Sequence, residues 1–132
     1  MLCKGYPKTY AMVMQVLQDA CPLDEFFQQF PDTKRVMKIF AIAVNPAYRQ
    51  KGIAESLLYQ SITVAQKNQI DFVVLTATNP DMAKISTKLK MKKFKSVYWK
   101  NYKDDFGEKW FPKSMDQLTV EGYYKSVFGE IE

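Results

Sequence analysis

Arg49, Gln50, Lys51, Gly52, Ile53 and Ala54 are the residues whose types and spacing point most directly to ligand chemistry. From Ile53 onward, Ile53, Ala54, Leu57, Leu58, Ser61, Ile62 and Ala65 recur at helical spacing, so this stretch is a turn into a helix. The first N–H groups of a helix have no partner inside it, and the aligned peptide dipoles favour negative charge there. Gly52 has no Cβ, so a ligand can approach the backbone closely. Arg49 and Lys51 add positive charge. Together these features predict a cradle for a pyrophosphate. The competing reading is an ordinary basic turn between a strand and a helix.

Other chemistries are closed off. The 132 residues contain no histidine, which removes the commonest general base and the commonest metal ligand. Ser-His-Asp hydrolysis and most zinc chemistry are thereby excluded. The two cysteines, Cys3 and Cys21, make neither a metal nor a disulfide framework, which predicts a reducing, cytoplasmic setting. Met1 to Gly5 lacks the apolar core of a signal peptide, and no apolar run reaches the ~20 residues of a membrane span. The formal net charge of +5 suggests an anionic partner, a phosphorylated coenzyme or nucleic acid.

The elements that position the cradle follow from pattern. Thr33 to Val44 predicts a central strand, apolar on both faces and so buried by helices on both sides. The chain then turns at Asn45-Pro46, and the cradle helix runs to about Asn68. Ile70 to Ala77 predicts the next buried strand, parallel to the first. Asn79 as cap, Pro80 at the first helical position and Asp81 in the first turn begin another helix, with Met82, Ile85 and Leu89 as its apolar stripe.

The flanks are read in the same way. Thr9 to Ala20 is a helix capped by Thr9, and Leu23 to Phe30 is a second, capped by Asp24 and stopped by Pro31. Phe94 to Tyr102 reads as a strand, Asp104 to Gly107 as a turn, and Leu118 to Val120 as a short final strand. Lys84 to Lys103 carries eight lysines, most simply a solvated face. Tyr98, Trp99 and Tyr102 among them read as core and cross-strand pairs rather than an amine cage. Neither repeat nor linker divides the chain, so residues 1–132 are read as a single α/β domain.

Arg49-x-x-Gly52-x-Ala54 resembles the Arg/Gln-x-x-Gly-x-Gly/Ala signature of the GNAT superfamily of acyl-CoA-dependent N-acyltransferases. Val44-x-Pro46-x-Tyr48-Arg49 before it is similar to that family's strand exit. Phe30-Pro31-Asp32 and Asn101-Tyr102-Lys103-Asp104 resemble the insect-type arylalkylamine and dopamine N-acetyltransferases, so the likeness runs from about Phe26 to Pro112. The resemblance implies a mixed central sheet flanked by helices. It also implies acetyl-CoA as co-substrate, no metal, and direct attack of a primary, arylalkylamine-like amine on the thioester. It assigns the main chain of Ile42, Ala43 and Val44 to the pantetheine arm and residues 49–54 to the pyrophosphate. Asn79 would touch the arm or merely cap its helix, and Thr78 would relay a proton.

The sequence also departs from that pattern. Only some 35 residues precede the first strand, and they read as helical, so the family's opening strands and their catalytic glutamate have no counterpart. Glu25 has the right chemistry in the wrong element, and Met82 stands where the group has a serine. An N-terminally shortened sheet would leave an exposed edge for a partner chain or a second copy to cover. Two alternatives therefore stand beside the N-acetyltransferase. One is a coenzyme-binding module without turnover. The other is a polyanion binder built on the lysines, although no nucleic-acid motif is present.

Overall fold

A computed structural model describes residues 8–127. Cys3 and the Met1 to Gly5 opening lie outside the described residues. Helices α1 (Lys8–Ala20) and α2 (Leu23–Gln29) precede strand β1 (Val36–Ile39). Helix α3 (Ile53–Lys67), strand β2 (Phe72–Ala77), helix α4 (Pro80–Lys88), and strands β3 (Lys92–Tyr98) and β4 (Thr119–Ser126) follow. The four strands form one mixed sheet in the order β1-β2-β4-β3. β1 runs parallel to β2, from Val36 opposite Phe72 to Ile39 opposite Leu75. β4 is antiparallel to both its neighbours.

Side chains alternate across a strand, so β2 and β4 feed two separate cores. On one face, Val73, Leu75, Ala77 and Tyr123 pack with Leu58, Ile62 and Ala65 of α3 and Met82 of α4. On the other, Val74 meets Cys21 and Phe26, with Phe30, Phe72, Phe94 and Tyr124 around them. Phe26 is fully buried, its ring 5.0 Å from Phe30 and 5.1 Å from Phe72. Val16 and Ala20 of α1 close the same face against Val120, Trp99 and Phe111. The sheet is thus sandwiched between α3 and α4 on one side and α1 and α2 on the other.

Two local contacts set the register of these layers. Asp71 Oδ2 accepts from the amides of Lys34 at 2.7 Å and Arg35 at 3.0 Å, joining the starts of β1 and β2. These bonds favour the carboxylate and hold its pKa below the usual range. Gly122 lies where α1 ends on β4: a Cβ there would stand 2.1 Å from the carbonyl oxygen of Ala20. Only a residue without a side chain lets backbone lie on backbone at this point.

The structure corrects several expectations. The predicted central strand ends at Ile39 rather than Val44, and β1 is an edge strand with half-buried residues. The centre of the sheet belongs to β2 and β4. The final strand reaches Ser126, because Gly122 is a packing glycine and not a break. β3 starts at Lys92 and gives way at Trp99 to a short 3₁₀ turn. Its exposed lysines suit a solvent-facing edge strand, where charge discourages further pairing. Thr9 lies within α1 and is not its cap, while α2 is capped at Pro22 without a side-chain bond and Asp24 sits in its first turn. The helices over Ile53–Lys67 and Pro80–Lys88 form as the pattern predicts, and β1 and β2 are parallel.

Gly122→Ala is expected to cost about 3 kcal/mol or more, because α1 must shift off the sheet. Gly107→Ala, with φ at +81° but open space around it, should cost only about 1 kcal/mol. Urea midpoints of the two variants check the contrast. Because Asp71 titrates lower in the folded chain, its contribution is present above the ordinary aspartate pKa of about 3.9 and lost as pH falls through the folded value. Asp71→Asn should therefore be less stable than wild type at neutral pH, with the gap closing below about pH 4.

Candidate coenzyme cradle

The predicted cradle is assembled at the end of β1. Asn45 Oδ1 accepts from the amide of Ala47 at 2.9 Å, which starts a single 3₁₀ turn over Pro46–Tyr48. Arg49 Nε then reaches back to the carbonyl of Val44 at 3.2 Å, clamping the two ends of this turn together. Gln50 adopts a left-handed conformation, with φ at +64°, and Gly52 does so again at +77°. Gly52 caps α3 through its backbone alone, and a Cβ added to it would meet nothing within 4 Å. It is therefore kept by conformation and by the open space in front of it, not by packing.

The electrostatics of the turn fit an anion. None of the main-chain amides of residues 50–55 donates to an acceptor among the described residues. They stand at the positive end of a 15-residue helix. Lys51 lies 5.6 Å from the ring centroid of Tyr48, so its charge stays at the rim. Arg49 serves first as a brace for the loop, a role that its place in the signature does not disclose.

Beside the cradle the parallel strands part. The β1–β2 ladder stops at Ile39 and Leu75, whereas β2 continues to Ala77 against β4. Ile42, Ala43 and Val44 follow just past the end of β1, outside any strand. None of their amides donates to an acceptor among the described residues, although the Val44 carbonyl is taken by Arg49. At the end of β2, Thr78 is exposed and Asn79 Oδ1 accepts from the amide of Met82 at 2.9 Å. Asn79 is thus a helix cap in this structure. Met82 is buried in the core under α4. Glu25 lies on the far face of the sheet, its carboxylate 3.1 Å from Lys95 Nζ.

Sequence reasoning missed a polar group on β4. Tyr123 is buried beneath α4 and donates to Glu121 Oε2 at 2.5 Å, and Lys93 Nζ approaches the same carboxylate at 3.1 Å. Burial and the adjacent carboxylate push the Tyr123 hydroxyl up to about 12. The Tyr hydroxyl and the ammonium hold Glu121 below its ordinary value. Tyr123 lines a hollow of about 440 Å³ with Ala83, Lys84, Thr87 and Lys88. A second hollow, of about 400 Å³ and including Thr33, Asp71 and Phe72, lies at the opposite ends of β1 and β2. Several members of the lysine cluster are paired: Lys88 with Glu55, Lys93 with Glu121 and Lys95 with Glu25. Trp99 is core, and Tyr102 donates to Asp19 Oδ2 at 2.7 Å. Among the described residues there is no group of three or more His, Cys, Asp or Glu that could hold a metal, and no helix long and apolar enough to cross a membrane.

The chain belongs to the acetyltransferase (GNAT) family, whose family model matches residues 21–88. Among solved structures, an arylalkylamine N-acetyltransferase-like 5b protein from mosquito superposes with a TM-score of 0.75 at 21% identity, over 93% of this chain and 57% of its own. Arylalkylamine N-acetyltransferase 2 from Aedes aegypti gives 0.74 at 19%, over 91% and 55%. The Drosophila melanogaster polyamine N-acetyltransferase gives 0.74 at 13%, over 89% and 56%. At these identities the likeness is one of fold. The chain spans a little over half the length of these structures. No curated protein matches it.

If Asn79 serves the helix, Asn79→Ala should cost about 1 kcal/mol of stability while Asn79→Asp, which keeps the acceptor, costs little. Thermal unfolding of the two variants measures this.

Proposed function

We propose that this chain is the coenzyme-binding part of an N-acetyltransferase that passes acetyl from acetyl-CoA to a primary amine of the arylalkylamine kind. The observation that carries the reading is the run of unbonded amides at residues 50–55, at the start of the helix that follows β1. Family membership supports the same assignment.

In this reading the amides of residues 50–54 and the dipole of α3 hold the pyrophosphate, with Lys51 at the rim and Arg49 bracing the loop. The pantetheine arm lies between the separated strands and pairs with the main chain of Ile42, Ala43 and Val44. One of those amides polarises the thioester carbonyl as charge develops on its oxygen. The amine attacks the carbonyl carbon directly, a tetrahedral intermediate forms, and coenzyme A leaves as its thiol. Holding both reactants in line supplies most of the acceleration. The amine attacks as its free base, its nitrogen then gives up a proton and the departing thiolate takes one; in this reading Thr78, at the end of β2, relays the proton through water. Asn79 approaches the arm while keeping its cap.

A second reading is favoured by Met82 and by the place of Glu25. With an apolar side chain at the start of α4 and Glu25 behind the sheet, the chain would bind the coenzyme without turnover.

Isothermal titration with acetyl-CoA tests the cradle. Wild type should bind, and Gly52→Glu, which brings a carboxylate and a side chain to the turn, should lower affinity at least tenfold. Folded wild type that fails to bind would refute the proposal. Thiol release with a panel of arylalkylamines then separates the readings: release means transfer, and binding without release favours the module without turnover.

A further inference from the structure

Within this reading of the cradle, we propose that Lys88 is a positioning residue that draws a competing carboxylate away from the bound phosphates. Glu55 sits in the first turn of α3, three residues after Gly52. A carboxylate in a first turn is attracted to the same free amides and the same dipole that a pyrophosphate would use. Left to itself, Glu55 would cap its own helix and oppose a second anion. The fold prevents this from across the gap between two helices. Lys88 closes the last turn of α4, and its Nζ lies 3.0 Å from Glu55 Oε1 and 3.2 Å from Oε2. Both carboxylate oxygens are therefore engaged by α4.

The pair gives the acidic residue a place to go. Glu55 is the more buried partner, with its side chain 31% exposed against 68% for Lys88. The ion pair itself adds little to stability at such a surface. Its consequence is positional: one negative charge is neutralised and turned toward α4, and the amides of residues 53–55 are left to an incoming phosphate. Lys88 also lines the open hollow it shares with Ala83, Lys84, Thr87 and Tyr123.

The test is a double-mutant cycle on coenzyme A affinity, using wild type, Lys88→Met, Glu55→Gln and the double variant. Both side chains are on the surface, so folding is expected to survive, and circular dichroism checks it. Lys88→Met should weaken binding roughly three- to tenfold, the effect of one uncompensated charge a few ångströms from the phosphates in water. In the Glu55→Gln background the same change should cost less than about twofold. An equal loss in both backgrounds would make Lys88 a direct ligand contact and overturn the clasp. No loss in either would overturn it too, and in both cases the cradle stands. Absence of coenzyme binding by folded wild type would instead bring down the cradle reading, and the clasp with it.

Discussion

The structure depends on where the β1–β2 ladder stops. Up to Ile39 and Leu75 the parallel strands satisfy each other's backbone groups. Beyond that point β2 pairs with β4 alone, and residues 40–45 have no ladder partner. The unbonded amides of Ile42 to Val44, the braced turn at Val44 and Arg49, and the free start of α3 all follow from this parting. Buried backbone groups must find partners. A run of unpaired amides here is tolerable because residues 40–55 are exposed or half-buried and water can serve them.

The rest of the sheet keeps that mouth rigid. β2 is buried on both faces, by α3 and α4 on one side and by the Phe26 aromatic group on the other. Asp71 pins the opposite ends of β1 and β2, so the strands diverge from a fixed origin. α1 reaches the sheet only because Gly122 yields the space of a side chain.

The turn at Gly52 and the helix after it were legible in the sequence because their signals are local. Apolar spacing marks α3, a left-handed turn needs Gly52, and the Asn79-Pro80-Asp81 start of α4 is chemical punctuation. What escaped sequence reasoning depends on contacts between distant segments. Val36 to Val44 is apolar at every position but Lys38, yet only its first four residues pair with β2. The final strand, read as ending at Val120, runs on past Gly122, and nothing in the local sequence announces that α1 rests on that glycine. Lys92 and Lys93 hid the start of β3, for charge is compatible with a strand only at an edge, and edges are set by topology. The Tyr123–Glu121–Lys93 group joins two strands and carries no sequence spacing at all. The Arg49 brace and the Glu55–Lys88 pair are of the same kind.

The chain belongs to the acetyltransferase (GNAT) family, and the local geometry adds a left-handed Gly52, a bracing Arg49 and unbonded amides at residues 50–55. Amide-resolved NMR during titration with coenzyme A tests it most directly. The account predicts that the largest shifts fall on the amides of Gln50 to Glu55, with a second group at Ile42 to Val44. Saturating shifts confined to the lysines of β3, with residues 50–55 unmoved, would contradict it.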